Sequence, residues 1–417
     1  MIKFLTFCLF VLVLSNSCGQ TNKLNNKEID WTQDLDLYKR NLEQNHIDLY
    51  NTIDSVEFGK ELQKITSALP DKSDTEIIVD LMQLTRKIGD GHTAVSLRGV
   101  EPHLFPIEIY KMNRKWRVIK TSNEYSNLLG KILTEIDGKP ISIIEEEVSK
   151  VAQYVENEQS EVYRTGRYLV ISEVLFGLQL TNTKLKAKFT FLDDTGTKST
   201  LSLDASDSEE YYENTDFQTL KVATPQIQKP IDSGYDFLWF SPIQNINGIY
   251  IKFESYPSFE GMEEFGESVL DYVNENQIEQ VVIDLRNNGG GDFFVGTFLA
   301  YYLNLADSID FKSGVYLLTD RVTFSAGTSN ASQFRQILNA KIVGEPTGSN
   351  PTGYQDMGQF TLPNSKLIIT YSKRLFRFQD NVTAGVQPDV LIEYNWENYS
   401  NGVDNMLEWI IKDIKQK

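Results

Sequence analysis

The chain has 417 residues, of which 41% are hydrophobic and 24% are charged. This is the composition of a globular protein with room for two or three domains, and it excludes a wholly disordered chain. The formal net charge of −18 excludes the basic surface that nucleic-acid binding requires, and an anionic membrane would repel such a chain.

The N-terminus carries the pattern of a targeting signal. Lys3 precedes an apolar run from Phe4 to Leu14, which is too short to span a membrane. Small residues and then Cys18 follow, so residues 1–18 are predicted to be a secretory signal peptide. Cys18 resembles the lipid-accepting cysteine of bacterial lipoproteins. This predicts an exported protein of the bacterial cell envelope, attached to the membrane only through a lipid; ordinary signal cleavage nearby is the alternative.

Cysteine usage limits what else the chain can contain. The only other cysteine is Cys8, which lies inside the predicted signal. The mature chain therefore has no possible internal disulfide and no cysteine-based metal site. We expect neither a metal ion nor a cofactor.

The first part of the mature chain reads as helical. Residues 19–29 are polar and predict a flexible tether, and residues 30–96 predict an N-terminal helical region. Ser73 and Glu76 are spaced as a capping box before a run of apolar residues with helical spacing. A Gly-Asp-Gly turn ends this run, so His92 is expected on a loop just after a helix.

The pattern then changes twice. Short strand-like runs separated by turns predict a β-rich domain over residues 100–205, and the stretch 206–236 is predicted to be a linker. From residue 237 to 417 strands alternate with helices, which predicts a largely parallel sheet covered by helices. Sites in such sheets form beyond the carboxyl ends of the strands.

Two loops lie at such strand ends. The first contains Gly289, Gly290 and Gly291, whose amides could stabilise an oxyanion or bind phosphate, although no Gly-Lys-Ser/Thr follows; a simple tight turn is the alternative. The second places Ser325 between a strand and a helix N-terminus, where developing negative charge is favoured. Serine is also a common helix cap, so a purely structural role for Ser325 stays open at this point.

A serine nucleophile needs a base, and the chain has three histidines. His46 lies in a helical segment and is interpreted as a surface or packing residue. His103 has no evident partner. His92 lies on a tight loop that can present its imidazole, and it is the candidate base.

Five segments, in this order, resemble the carboxy-terminal-processing (tail-specific) serine peptidase family, which includes the tricorn core protease and the interphotoreceptor retinoid-binding modules. The segments span residues 129–141, 282–290, 323–326, 342–348 and 385–389. The resemblance implies an α/β fold with a crotonase/Clp-protease-like catalytic core, a PDZ-like domain and an N-terminal helical region.

The resemblance also implies site residues. Ser325 would be the nucleophile, and the amides of Ala326 and of Gly289 or Gly290 would form the oxyanion hole. The substrate would be a polypeptide, as an extended or C-terminal segment.

The family's catalytic lysine is missing from this sequence, because Asn350 stands where the Thr-x-Gly-Lys segment would carry it. The chain is therefore similar to the tricorn-like and retinoid-binding branch, which implies that His92 is the base. No glutamate precedes Gly385. Asp380 is the nearest carboxylate and Glu345 is the alternative for orienting the imidazole.

These observations predict an exported serine endopeptidase that forms an acyl-enzyme at Ser325. Two alternatives stay open on the sequence. One is a catalytically inactive relative that binds a small ligand on the same fold, and the other is a scaffold that binds peptides through the PDZ-like domain.

Overall fold

A computed structural model describes residues 29–417. The predicted signal peptide with Cys18, and the predicted tether as far as residue 28, lie outside the described residues. Within residues 29–417, no helix has both the length and the apolar composition needed to cross a bilayer.

The described chain contains eleven α-helices and sixteen strands. The helices are α1 Trp31–Asn45, α2 Ser55–Ala68, α3 Asp74–Arg86, α4 Ile141–Ser149, α5 Glu158–Tyr168, α6 Ser172–Gly177, α7 Phe259–Asn276, α8 Phe293–Asn304, α9 Ala326–Leu338, α10 Trp396–Ser400 and α11 Asn405–Lys415. The strands are β1 Ala94–Ser96, β2 Ile107–Met112, β3 Lys115–Ser122, β4 Ile132–Ile136, β5 Lys139–Pro140, β6 Lys186–Leu192, β7 Lys198–Asp204, β8 Phe217–Thr219, β9 Leu238–Pro242, β10 Gly248–Phe253, β11 Gln280–Asp284, β12 Val315–Thr319, β13 Lys341–Gly344, β14 Thr352–Thr361, β15 Ile368–Arg377 and β16 Val390–Leu391.

The N-terminal half is built around one hydrophobic core. Helices α1 to α3 share this core with the sheet of strands β2 to β7 and with α4 to α6. The predicted capping box is present, since Ser73 accepts from the Glu76 amide and Glu76 accepts from the Ser73 amide.

The segment 206–236, predicted to be a linker, contributes structure of its own. Its strand β8 pairs with β3 in antiparallel orientation. Tyr211 and Phe217 pack their rings 4.8 Å apart, and Lys120 lies 4.4 Å above the Phe217 ring. Tyr211 is buried and Phe217 half-buried, and these contacts hold a segment whose acidic composition gave no strand signal.

The C-terminal half contains a six-stranded sheet in the order β16-β13-β12-β11-β10-β9. All neighbours are parallel except β9, which runs antiparallel to β10. Strands β11 and β12 are buried along nearly their whole length, as expected for parallel strands covered on both faces. Helices α7, α8 and α9 pack on one face and α11 on the other.

A small third sheet joins the two halves. The hairpin of β14 and β15 extends from the C-terminal half, and β15 pairs with β1 so that Ala94 lies opposite Thr370. Because β1 directly follows the loop of His92, this pairing fixes the loop next to the C-terminal sheet.

Candidate active site

The backbone at Ser325 is strained. Ser325 precedes α9 with φ 53° and ψ −122°, and its side chain makes no capping hydrogen bond. Such a conformation in a residue other than glycine costs about 1–3 kcal/mol and persists only where neighbours enforce it. The Ser325 amide donates to Ser349 Oγ at 2.7 Å, which helps to hold this turn. The hydroxyl is therefore not used as a helix cap.

Asn288 joins the glycine-rich loop to the Ser325 loop. Its backbone oxygen accepts from the Phe324 amide at 2.9 Å, and its side-chain oxygen accepts from the Gly290 amide at 3.0 Å. A Cβ added at Gly290 would lie 2.6 Å from Ser325 Cβ, so only glycine permits this approach of the two loops.

Asp320 is a second connection between the same loops. Its carboxylate accepts from the Asn287 amide at 3.2 Å and from the Thr323 amide at 3.0 Å. Burial, and then the neighbouring charge of Glu345, raise the pKa of Asp320 to about 7. No pattern in the sequence indicated that Asn288 and Asp320 would be structural residues of the site.

The amides proposed for an oxyanion hole are not equivalent. The Gly290 N–H is occupied by Asn288 Oδ1, which removes it as a free donor. Gly289 and Ala326 both line the cleft beside Ser325, and within residues 29–417 no hydrogen-bond acceptor is found for either amide. Ala326 is the first residue of α9, where helix amides are free of intrahelical partners.

His92 lies in contact with Ser325. Its Nε2 atom is 2.9 Å from Ser325 Oγ, although 233 positions separate the two residues. The imidazole is 5% exposed and stacks on the Phe324 ring at a centroid distance of 5.4 Å. This distance and partner are what proton transfer from the hydroxyl requires.

Asp90 holds the His92 loop through its side chain. One carboxylate oxygen accepts from the amides of His92 at 2.9 Å and Thr93 at 2.8 Å, and also from Ser372 Oγ at 2.6 Å. The other oxygen lies 2.8 Å from His46 Nε2. Asp90 therefore fixes the His92 loop through its backbone amides and does not contact the nitrogens of the His92 imidazole.

The structure gives His46 a role that its sequence context did not indicate. It follows α1, its side chain is 1% exposed, and its Nδ1 accepts from the Asp48 amide at 2.9 Å. The proton must then be on Nε2, which donates to Asp90. The sequence feature that could have indicated this contact is Asp90 in the Gly-Asp-Gly-His turn, since Asp side chains commonly accept hydrogen bonds from nearby backbone amides.

Neither carboxylate considered in the sequence analysis reaches His92. Glu345 is fully buried and pairs with Arg321, whose Nε donates to it at 2.9 Å. Asp380 is exposed and lies in a separate depression with Arg335 and Arg377. The expectation for both is corrected: Glu345 neutralises a buried arginine, and Asp380 lines a depression separate from the cleft.

The Nδ1 atom of His92 has no side-chain hydrogen-bond partner among the described residues. A different carboxyl group, that of Glu156, lies beside the His92 loop. A Cβ added at Gly91 would be only 2.9 Å from Glu156 Oε2. That oxygen is inaccessible and also lacks a partner in the described chain. Burial, and then the charge of Asp90, hold the pKa of Glu156 well above its usual range, which favours the neutral carboxyl.

Burial lowers the pKa of His92 to about 4, against the opposing effects of the Asp90 charge and the Tyr354 backbone. The positive charge of Arg164 acts in the same direction as burial. His92 is thus neutral at pH 7 and able to accept a proton.

Asn350, where the resemblance noted in the sequence would place a lysine, has a structural role. Its side-chain oxygen accepts from the Gly385 amide at 2.8 Å and from Asn157 Nδ2 at 3.0 Å. No lysine is among the described residues that line the cleft around Ser325.

The cleft that contains Ser325 and His92 has a volume of about 860 Å³, within the usual range of ligand sites. Aromatic rings of Phe293, Phe294 and Phe376 form part of its wall. Polar and charged groups also line it, including Arg98, Arg164, Arg374, Asp292, Asp356 and Gln355.

Comparison with solved structures identifies the fold. Mature CPAF complexed with lactacystin superposes with a TM-score of 0.64 at 13% sequence identity, over 92% of this chain and 98% of that chain. The chain has the fold of CPAF. A second structure of mature CPAF gives the same TM-score and identity, over 92% and 96% of the two chains. The predicted fold class, with its core, PDZ-like domain and N-terminal helical region, is confirmed.

Other solved structures match this chain less well than CPAF does. The photosystem II D1 C-terminal processing protease gives a TM-score of 0.41 at 14% identity, over 88% of this chain and 94% of that chain, which is too low to carry an argument. No protein-family model matches the sequence.

The state of His92 can be measured directly. In protein labelled with ¹⁵N-histidine, we expect the His92 ring to stay neutral until the pH falls to about 4, because the buried site disfavours the imidazolium. The unfolded chain protonates near pH 6.5, so this residue makes folding less stable as the pH falls from about 6.5 to about 4. His92→Gln assigns the resonance, and a midpoint at or above 6.5 would contradict the expectation.

Proposed function

We infer that the protein is a serine peptidase in which Ser325 is the nucleophile and His92 the general base. The observation that carries this proposal is the 2.9 Å contact between His92 Nε2 and Ser325 Oγ. It is supported by the CPAF fold and by the resemblance to tail-specific peptidases of the lysine-lacking branch. An inactive or scaffold protein would not need this contact, a neutral imidazole and a strained serine in one cleft.

The reaction follows from these groups. His92 Nε2 takes the hydroxyl proton while Ser325 Oγ attacks the carbonyl carbon of the peptide. The amides of Gly289 and Ala326 donate to the oxyanion, each worth about 3 kcal/mol of transition-state stabilisation. The imidazolium then gives its proton to the leaving amine, and the peptide C–N bond breaks.

A water molecule completes the cycle. His92 accepts a proton from the water, which attacks the acyl-enzyme and releases the new carboxyl terminus, while the proton returns to Ser325. Asp90 would stabilise the imidazolium through its charge and by fixing the loop, without a bond to Nδ1. This differs from triads in which a carboxylate holds that nitrogen.

Replacing the nucleophile tests the proposal. We expect Ser325→Ala to lower peptide hydrolysis by roughly 10³-fold or more and to abolish labelling by a fluorophosphonate, because the acyl-enzyme can no longer form. Ser332→Ala is the matched control, since Ser332 lies on the same helix, is 3% exposed and has no hydrogen-bond partner for its Oγ in the described chain. Unchanged labelling of the Ser325 variant would sink the assignment.

Glu156 allows a test of the acid. Because burial favours the neutral carboxyl of Glu156, we expect Glu156→Gln to keep kcat/KM within about threefold of the parent at pH 7, since the amide is neutral and of similar shape. A loss of about 100-fold, with unchanged thermal stability, would mean instead that an ionised Glu156 orients Nδ1 during the reaction. Hydrolysis of one peptide from pH 5 to 8 is the measurement.

We also propose that the protein is exported to the cell envelope and carries a lipid at Cys18. Two acyl chains or more are needed for stable anchoring, which a diacylated cysteine supplies. We expect an alkyne fatty acid to label the chain in a bacterial host, and Cys18→Ala to remove the label. Cys8→Ala is the control, because Cys8 is the only other cysteine. Label that persists in the Cys18 variant would contradict the proposal.

A further inference from the structure

Two arginines in the cleft have no carboxylate partner in the described part of the chain. Arg98 and Arg164 line the cleft, and neither forms an ion pair within residues 29–417. By contrast, Arg167, which lies on α5 with Arg164, forms an ion pair with Glu108 at 3.3 Å. In a chain with a net charge of −18, unpaired arginines gathered beside the nucleophile are unexpected.

Arg164 is held in a fixed position. Its guanidinium lies 5.6 Å from the Tyr154 ring, 5.3 Å from the Tyr163 ring and 5.3 Å from the Phe324 ring. Phe324 directly precedes Ser325, and Arg164 and Ser325 line the same cleft. Aromatic faces attract such a cation, and they limit the side-chain entropy that binding a ligand would cost.

The hydrogen-bonding capacity of Arg164 is not used within the described chain. Its Nε is inaccessible to solvent and has no acceptor there, so a ligand can reach only the two terminal nitrogens, which make no hydrogen bond within residues 29–417 either. A partly buried cation without an acceptor costs free energy, which is regained when a suitable anion binds. The planar guanidinium matches a carboxylate through two parallel hydrogen bonds.

We propose that Arg164, assisted by Arg98, binds a carboxylate side chain of the substrate. The cleft would then select polypeptides with Asp or Glu within a few residues of the bond that is cut. This inference rests on the proposed peptidase function and adds the substrate class. The field of the two arginines also attracts an acidic segment that the rest of the surface repels.

The test compares peptides that differ only in charge. Asp and Asn are nearly equal in shape, so peptides that carry one or the other differ mainly in charge. The peptide series places Asp or Asn in turn at each of three positions on either side of the scissile bond. We expect kcat/KM of the parent enzyme to be about tenfold or more higher for Asp at one position at least, as for a hydrogen bond to a charged group. The ratio should fall as salt is raised from about 0.05 to 0.5 M.

Variants assign the preference to one residue. We expect Arg164→Gln to bring the Asp/Asn ratio close to one, and Arg164→Lys to retain part of it because the charge stays. Arg374→Gln is the matched control, since Arg374 lines the same cleft but is already paired with Asp356 at 2.5 Å. The ratio should survive in that variant.

Several outcomes overturn the inference. An Asp/Asn ratio near one at every position in the parent enzyme overturns it. An equal fall of this ratio in the Arg164 and Arg374 variants also overturns it, because the preference would then come from the general positive charge of the cleft. If neutral peptides show a preference only for a free C-terminal carboxylate over an amide, the ligand is the chain end and not a side chain. If the parent protein is labelled at Ser325 but shows no preference for acidic peptides, this inference alone is refuted. If the parent protein shows neither labelling nor hydrolysis, the proposed peptidase function is refuted.

Discussion

One buried carboxylate, that of Asp90, connects the three parts of the chain from which the site is built. It accepts from the loop of His92, from His46 at the end of α1 and from Ser372 on β15. Burial of a carboxylate is unfavourable unless its lone pairs are satisfied, and here four donors satisfy them. The position of the imidazole relative to Ser325 therefore depends on the docking of the two halves and not on local folding.

Two features of the site are costly for the folded state. Ser325 is kept in a strained conformation, and burial keeps His92 neutral. Both costs are offset by bonds made nearby, chiefly those of Asn288, Ser349 and Asp90. Such strain and pKa perturbation are typical of functional sites, and they prepare the hydroxyl and its base before a substrate arrives.

Much of the fold could be predicted because its signals are local. The capping box at Ser73, the alternation after residue 237 and the glycine-rich loop each follow from neighbouring residues. The contact of His92 with Ser325 was expected from the resemblance, and its distance could come only from the structure. The sheet of β1 with β15 joins residues too distant in sequence to be paired by periodicity.

The expectation for the acid was wrong for a physical reason. Asp380 and Glu345 were considered because they lie near family segments, yet position along the chain does not say where a side chain points. Glu345 is needed to neutralise Arg321, and the loop of Asp380 is exposed. Glu156 and Asp90 were missed because one precedes a helix of the N-terminal half and the other was counted as part of a turn.

The connection of Asp90 to Ser372 has a consequence for the order of events in the cell. Strand β15 follows Ser325 in the sequence, so a ribosome makes the proposed nucleophile before it makes the residue that completes the anchor of its base. Until β15 is made, Asp90 lacks the hydroxyl of Ser372 as a donor, and a chain that crosses a membrane unfolded would cross it without an assembled site. In the proposed peptidase, the site is therefore complete only after β15 has been made and has folded.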